Sequence, residues 1–489
     1  MREKIIELEE LAKSLEPGKE EREALRSKVI DYTEQFLDEI GGIPAYFKEK
    51  DGKNEISKTE PGKEILPIDE IINRLKVEMD REGINPASGG HLGYIPGGGI
   101  YASSLADYWG DITNRYAGVF YANPGAVKIE NKMIRWTADL MGYPETAHGN
   151  LTSGGSIANL IGIVSARHAK NIHATIIPSS CIYFTKQAHH SVAKAIQIAA
   201  LHECQIRYVE MDENFRMDVV DLEKKVKEDI ARGLNPFLVV GSAGTTDVGA
   251  IDPMEEISRI SRENNLWFHV DAAYGGFFIL VDEIKQKFKG IELSDSMSVD
   301  PHKGLFLPYG LGISLVRERE HMKKAFAFQA SYLQDITAAQ DEVNPMDVSP
   351  EMTKHFRGLR IWLPLLLYGT EPFRACLEEK LFLARYFHQE IKKVDGFDVG
   401  LYPQLSVVTF RYTDGGEDNE AINRRILEEV LKDGRVFFSS TTIQGNFTLR
   451  LAILSFRTHL QTIDLTLEII KEKTALVVKE FQKIESPVN

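Results

Sequence analysis

Between residues 180 and 300, short β-rich runs alternate with helical patterns, and that alternation leaves few folds open. The runs are SCIYFT (180–185), IRYVEM (206–211), FLVVGS (237–242), LWFHVD (266–271) and SMSVD (296–300). Among them lie HSVAKAIQIAALH, DVVDLEKKVKEDIARG and PMEEISRISRENN, whose apolar residues recur at helical spacing. Strands joined by crossovers of this length run parallel, and right-handed crossovers cover the sheet with helices on both faces. The expected fold class is therefore α/β, with a large, doubly wound, mainly parallel sheet. A ligand on such a sheet sits beyond the carboxyl ends of the strands.

The flanks read differently. Ile5, Leu8, Leu11 and Leu15 recur at helical spacing and stop at Pro17-Gly18. A second pattern through Leu25, Val29, Phe36 and Ile40 ends at Gly41-Gly42, and a third helix is expected from Ile68 to Glu82. Lys48 to Glu64 is polar and broken by Gly and Pro, as a loop would be. Helices so few cannot close a core of their own and must dock on something larger. After residue 376, long helices (Cys376–Val394, Asn419–Gly434, Thr458–Phe481) flank the strand candidates Ser406–Tyr412 and Thr448–Leu454. The expected division is a helical segment over 1–85, a large α/β unit over 86–375 and a smaller α+β unit over 376–489.

With 489 residues, 43% hydrophobic and 27% charged, the chain has the composition of a globular protein with a large core. Its formal net charge of -14 argues against a general binder of nucleic acid or of anionic membranes. Cys181, Cys204 and Cys376 form no CxxC, so neither a disulfide framework nor a zinc site is expected, and a reducing cytoplasm fits. The first residues lack an apolar signal core, and no apolar run approaches the roughly 18 residues that span a bilayer.

Four segments carry chemistry. In SVDPHKGLFLPYG, Lys303 follows His302 just after a strand, flanked by small and apolar residues. A lone lysine is ordinarily a surface residue, but an amine placed there can lose its charge by desolvation and attack a carbonyl. In WFHVDAAYGG, Asp271 ends an apolar strand, and the small residues after it leave room for a flat ring close to the backbone. A capping carboxylate is the plainer alternative. The turn in LTSGGSIANL opens a helix whose N-terminus suits a phosphate; taken alone, Ser and Gly there are common caps, and neither GK[ST] nor GxGxxG is present. In KQAHHSVAKA, an imidazole at a strand end can stack on an aromatic ligand. His189-His190 as a metal half-site is set aside, because HExxH is absent and no second His pair stands at ligand spacing. No metal is expected.

Taken together, HVDAAYGG, the DPHK lysine motif, the AHHSV turn and the GGS turn resemble, in order and spacing, the pyridoxal-phosphate-dependent group II amino-acid decarboxylases. The resemblance runs from about residue 66 to the C-terminus and is nearest to the aromatic L-amino-acid decarboxylases. It implies a fold-type-I (aspartate-aminotransferase-like) homodimer with active sites at the subunit interface and the N-terminal helices packed across it. It implies pyridoxal 5'-phosphate as cofactor, with Lys303 as the Schiff-base lysine, Asp271 on the pyridine nitrogen, Ala273 beneath the ring, His189 on its other face and Thr246 nearby. Gly155 and Ser156 would hold the phosphate with help from around His302, and Tyr332 matches the tyrosine of the family's mobile loop, a proton donor to the α-carbon that His189 or His302 would assist. Asp300 stands where the family often has Asn. Tyr94, Ile95 and Pro96 fall where relatives line the side-chain pocket, and Phe120 and Tyr121 lie in a loop that reaches the partner's site.

That apolar lining favours an aromatic substrate such as tyrosine, tryptophan or dihydroxyphenylalanine, although Gly118 stands where some aromatic-specific relatives carry an aromatic residue. The alternatives are an acidic or diamino substrate, for which Arg115, Arg357 and Arg450 are candidate charged groups, and a pyridoxal-phosphate carbon–carbon lyase. A cofactor carrier without activity is the non-enzymatic reading, disfavoured because each expected catalytic position is intact.

Overall fold

The computed structural model describes residues 1–48, 55–327 and 342–485. Its centre is a seven-stranded sheet built from β1 (His148–Thr152), β2 (Ser180–Thr185), β3 (Gln205–Val209), β4 (Asn235–Ser242), β5 (Trp267–Asp271), β6 (Ser296–Val299) and β7 (Gly312–Val316). The strand order is β1-β7-β6-β5-β4-β2-β3. The pairs β2–β3, β2–β4, β4–β5 and β5–β6 are parallel, whereas β7 runs antiparallel to both β1 and β6. The fold class is α/β with a mostly parallel sheet, as the alternation predicts. Strands β2, β5, β6 and β7 are buried at every position, because helices cover both faces.

The helices that matter most for the cavity follow strands directly. Gly155–Ala169 opens three residues after β1, and His190–Ile198 follows β2. Val219–Ala231 starts at Asp218, whose side chain accepts from the Val220 and Asp221 amides, an N-cap worth about 1 kcal/mol. A second sheet, β8 (Phe397–Val399), β9 (Val407–Tyr412), β10 (Ser439–Ile443) and β11 (Asn446–Ala452), is antiparallel in the order β8-β9-β11-β10. The helices Glu371–Ile391, Asn419–Asp433 and Leu460–Glu485 pack on it around Phe387, Phe410, Ile426, Leu449 and Ile470.

Three helices at the N-terminal end, Arg2–Ala12, Lys19–Glu39 and Ile68–Glu78, bury none of their residues in the single chain. Ile5, Ile6, Leu8, Leu11 and Leu15 are exposed. No helix among the described residues is long and apolar enough to cross a membrane.

His91 shows what this packing does to a titratable group. It is buried, its ring lies 5.4 Å from that of Phe437, and neither ring nitrogen has a hydrogen-bond partner among the described residues. Burial pushes its imidazole down from the ordinary 6.5 to about 4. Below pH 6.5 the unfolded chain takes up a proton that the folded imidazole refuses. The stability this group contributes is therefore present above 6.5 and lost as the pH falls towards 4. Its slope approaches about 1.4 kcal/mol per pH unit. Urea unfolding at several pH values should show His91→Leu losing less stability than the parent between pH 6.5 and 4.5. Parallel curves would remove His91 from the acid sensitivity.

Candidate active site

The ends of five strands converge on one cavity of about 260 Å³. Ser153 to Ile157 follow β1, His189 and Ser191 follow β2, and Ser242 with Gly244 to Thr246 end β4. Asp271, Ala273 and Tyr274 end β5, and Asp300, His302 and Lys303 follow β6. The carboxyl-end rule thus brings Gly155, Ser156, His189, Thr246, Asp271, Ala273, His302 and Lys303, eight residues singled out from sequence, to one cavity.

Asp271 is fixed by three donors. Its Oδ1 accepts from the Ala273 amide at 3.1 Å and from Ser298 Oγ at 3.1 Å, and its Oδ2 accepts from Asn159 Nδ2 at 3.0 Å. Asn159 is the hub of a buried chain that runs under the cavity floor. Trp267 Nε1 donates to Ser296 Oγ at 2.8 Å, and Ser296 Oγ meets His269 Nδ1 at 2.8 Å. His269 Nε2 meets Asn159 Oδ1 at 2.8 Å, and Asn159 Nδ2 also donates to Ser191 Oγ at 2.8 Å. Ser191 Oγ in turn lies 2.8 Å from His189 Nδ1, which accepts the Ser191 amide at 3.2 Å. Indole N–H and amide N–H groups only donate, so the donor direction propagates along the chain and leaves His189 Nδ1 an acceptor. The neutral ring then carries its proton on Nε2, the nitrogen left for a ligand. Desolvation, the largest cause, lowers the His189 imidazole below its ordinary value, against the pull of the Asp271 carboxylate.

The lysine turn is a short helix, Pro301–Gly304, with Asp300 before it. Lys303 Nζ lies 3.2 Å from Asp300 Oδ2, and His302 Nε2 lies 3.6 Å from the same oxygen. His302 Nδ1 donates to the Leu311 carbonyl, and burial lowers its imidazole below the ordinary value. The loop carrying Tyr94 to Gly97 presses on this turn: a Cβ on Gly97 would stand 2.1 Å from the His302 carbonyl oxygen and 3.2 Å from that of Lys303. Tyr94 and Ile95 just before it hold φ of 53° and 57°, strained for side-chain-bearing residues and most of all for a β-branched one.

The phosphate-type turn is equally specific. The helix Gly155–Ala169 has Gly154 as its N-cap, at φ 148°, and no side-chain cap. A Cβ on Gly155 would stand 2.8 Å from Asp300 Oδ2 and 3.2 Å from Ala273 Cβ. Arg450 Nη2 on β11 donates to the Thr246 carbonyl at 2.5 Å, and Ser406, just before β9, bonds the Tyr274 hydroxyl at 2.8 Å, so the second sheet braces the cavity wall. Among the described residues no cluster of three or more His, Cys, Asp or Glu is placed to hold a metal ion.

Other expected residues lie elsewhere. Tyr94 is exposed and its ring lies 5.5 Å from that of Phe437, Pro96 is buried, and neither lines the cavity within the single chain. Phe120 is half-buried beneath Lys128 Nζ, its amide donating to Asn344 Oδ1 at 2.9 Å, and it too lies off the cavity. Tyr332 lies outside the described residues. The sequence reading does not single out Asn159, Ser191, His269, Ser296 or Ser298. Asn159, Ser191, His269 and Ser298 stand inside the four motif segments, but nothing in their local spacing sets them apart from their neighbours.

Residues 89–413 match the model of the pyridoxal-dependent decarboxylase conserved domain. The chain is 30% identical over 424 residues to an aromatic-L-amino-acid decarboxylase of Bacillus atrophaeus, covering 82% of this chain and 88% of that one. An L-2,4-diaminobutyrate decarboxylase of Acinetobacter baumannii is 27% identical over 454 residues, 88% of this chain and 87% of that one. Among solved structures, Oryza sativa TDC with PLP and tryptamine matches with a TM-score of 0.89 at 22% identity, over 94% of this chain and 99% of that one. The chain belongs to the pyridoxal-dependent decarboxylase family, group II, and is a fold-type-I amino-acid carboxy-lyase that uses pyridoxal phosphate.

Proposed function

We propose that the chain converts an aromatic L-amino acid to its amine and CO2, with Lys303, Asp271, His189, His302 and Tyr332 as working residues. The carrying observation is that Lys303 Nζ, the Asp271 carboxylate and the uncapped Gly154–Ser156 turn face one cavity. These meet the three needs of pyridoxal phosphate: an amine for its aldehyde, a carboxylate for its ring nitrogen and a helix N-terminus for its phosphate. When bound, the cofactor supplies an electron sink for the pair released as the carboxyl group leaves.

The protein's own residues do the rest. Lys303 would anchor the cofactor through its amine. Asp271, held by three donors, would keep the ring nitrogen protonated. Ala273 would leave space for the ring, and His189 would bound it with Nε2–H free to bond the substrate carboxylate. Gly155, Ser156 and Thr246 hold the cofactor, helped by His302. Tyr332 delivers the proton to the α-carbon. Tyr332→Phe deletes that proton but keeps the ring, so CO2 release should survive while amine yield falls about 10²–10⁴-fold, read by product analysis. Amine at the parent rate would pass the role to His189 or His302.

The aromatic preference draws on the Bacillus atrophaeus relative and on the position of the candidate arginines off the cavity. Neither Arg115 nor Arg357 nor Arg450 borders the cavity; Arg115 is exposed, Arg357 pairs with Glu351 at 3.2 Å, and Arg450 bonds Thr246 and Ser439. Tyr94, Ile95 and Pro96 lie on the loop that packs against the lysine turn at Gly97, off the cavity within the single chain. A diamino substrate is the second reading, favoured by the Acinetobacter relative. A CO2-release screen over the twenty amino acids plus 2,4-diaminobutyrate decides: tyrosine, tryptophan or dihydroxyphenylalanine, added as a further arm, should lead. A lead for diaminobutyrate, glutamate or aspartate would overturn the aromatic assignment.

The same reading makes the protein a cytoplasmic homodimer and divides it at residues 85 and 375. The exposed apolar residues of the N-terminal helices support the dimer, with those helices and the Phe120–Tyr121 loop reaching the partner. Three free cysteines support the compartment. The separate core around the second sheet supports the later boundary.

A further inference from the structure

Asp300 is 1% exposed, and although its Oδ2 meets Lys303 and His302, its Oδ1 has no hydrogen-bond partner among the described residues. A buried carboxylate oxygen left without a donor is costly and asks for a reason. Its slot is walled by glycine. A Cβ on Gly155 would stand 2.8 Å from Oδ2, and one on Gly312 would stand 2.7 Å from Oδ1 and 2.6 Å from the Gly154 carbonyl carbon. The unpartnered oxygen therefore lies against the uncapped first turn of the helix Gly155–Ala169.

That turn is where the proposed function puts the phosphate, and the role of Asp300 rests on that placement. Two anions side by side cannot both keep full charge in a site drawn away from water; the pair is relieved when one proton is shared between them. We propose that Asp300 couples the filling of this turn by a phosphate group to the uptake of one proton, so that cofactor capture weakens as pH rises. The proton comes from solvent and ends between Asp300 Oδ1 and a phosphate oxygen; no covalent bond changes. The charged and titratable groups around Asp300 are Lys303 and His302 on its own turn, Asp271 on β5 and His189 after β2. Gly154, Gly155 and Gly312 bring only backbone. Lys303, 3.2 Å from Oδ2, offsets part of the Asp300 charge but leaves Oδ1 unpartnered. Asp300 is thus a positioning residue for the anion, not a catalytic one.

The test is calorimetric titration of the cofactor-free full chain with inorganic phosphate at pH 8, in two buffers of different ionisation enthalpy, which counts protons. The parent should take up about one proton per phosphate, and its Kd should rise about tenfold per pH unit above 7. Asp300→Asn should take up none and bind phosphate about tenfold or more tighter at pH 8, converging with the parent near pH 6. Asp300→Ser removes the same charge and serves if the Asn variant misfolds. No uptake by the parent, or the same uptake in the variants, overturns the proposal. Ser156→Asp separates it from the placement it rests on. If phosphate binding survives that change, the turn is not the anion site and both fall. If binding is lost but Asp300→Asn keeps the parent's proton count, only the proton coupling falls.

Discussion

Lys303→Ala should leave a folded protein whose decarboxylation is reduced on the order of 10⁴-fold or more, the scale on which removing a nucleophile acts. Lys303 is the amine that lines the cavity, and it stands 3.2 Å from Asp300 at the carboxyl end of β6. The anion turn and Asp271 remain, so the variant should still bind pyridoxal phosphate, reversibly and without the absorption of its lysine adduct. Removing the amine also removes the cation nearest Asp300. A thermal unfolding curve must therefore accompany the assay, to separate lost chemistry from lost fold. Activity within tenfold of the parent would dismiss Lys303 as the anchoring residue.

Asp271→Asn is expected to lower turnover by about 10²–10³-fold while weakening cofactor binding far less. The substitution keeps the shape and one acceptor oxygen, so the Ser298 and Ala273 donors can still be met. The new amide puts an N–H against Asn159 Nδ2 or against those donors, and it carries no charge for the ring nitrogen. The loss should therefore fall on kcat more than on KM, the pattern of an interaction made at the reacting state. Near-normal kcat would take the electron-withdrawing role away from Asp271.

Much of this site is legible in sequence because of where a parallel sheet puts its strand ends. The runs 180–185, 237–242, 266–271 and 296–300 are apolar and β-rich because helices cover both of their faces, and each carries its motif directly after it. Two further members of the sheet, the edge strand β1 and its neighbour β7, escape such a reading. β1 is HGNLT, poor in strand formers, yet Gly149 is demanded there because a Cβ would stand 2.1 Å from the Ser314 carbonyl oxygen across the ladder. β7 is GISLV, and it is held as the antiparallel strand between β1 and β6 by partners distant in sequence. The helix Pro124–Leu140 does carry a local signal, Asn123 capping the Ala126 amide ahead of a first-turn proline, which apolar periodicity alone does not use.

The hydrogen-bonded chain from Trp267 to His189 is beyond any local rule. Asn159 lies 110 residues from His269 and 112 from Asp271, and nothing around it in GSIANLIG marks it as more than a helix residue. Only the folded sheet brings these groups together. Asp300 teaches the converse. Its departure from the usual asparagine is visible in DPHK, but its unpartnered oxygen and glycine-walled slot emerge only from packing.

Borohydride reduction of the purified, cofactor-loaded protein, followed by peptide mass mapping, addresses the central claim most directly. The account predicts one reduced cofactor adduct per chain, carried by the peptide containing Asp300-Pro301-His302-Lys303. An adduct on another lysine, or none from a protein that nonetheless releases CO2 from an amino acid, would contradict it.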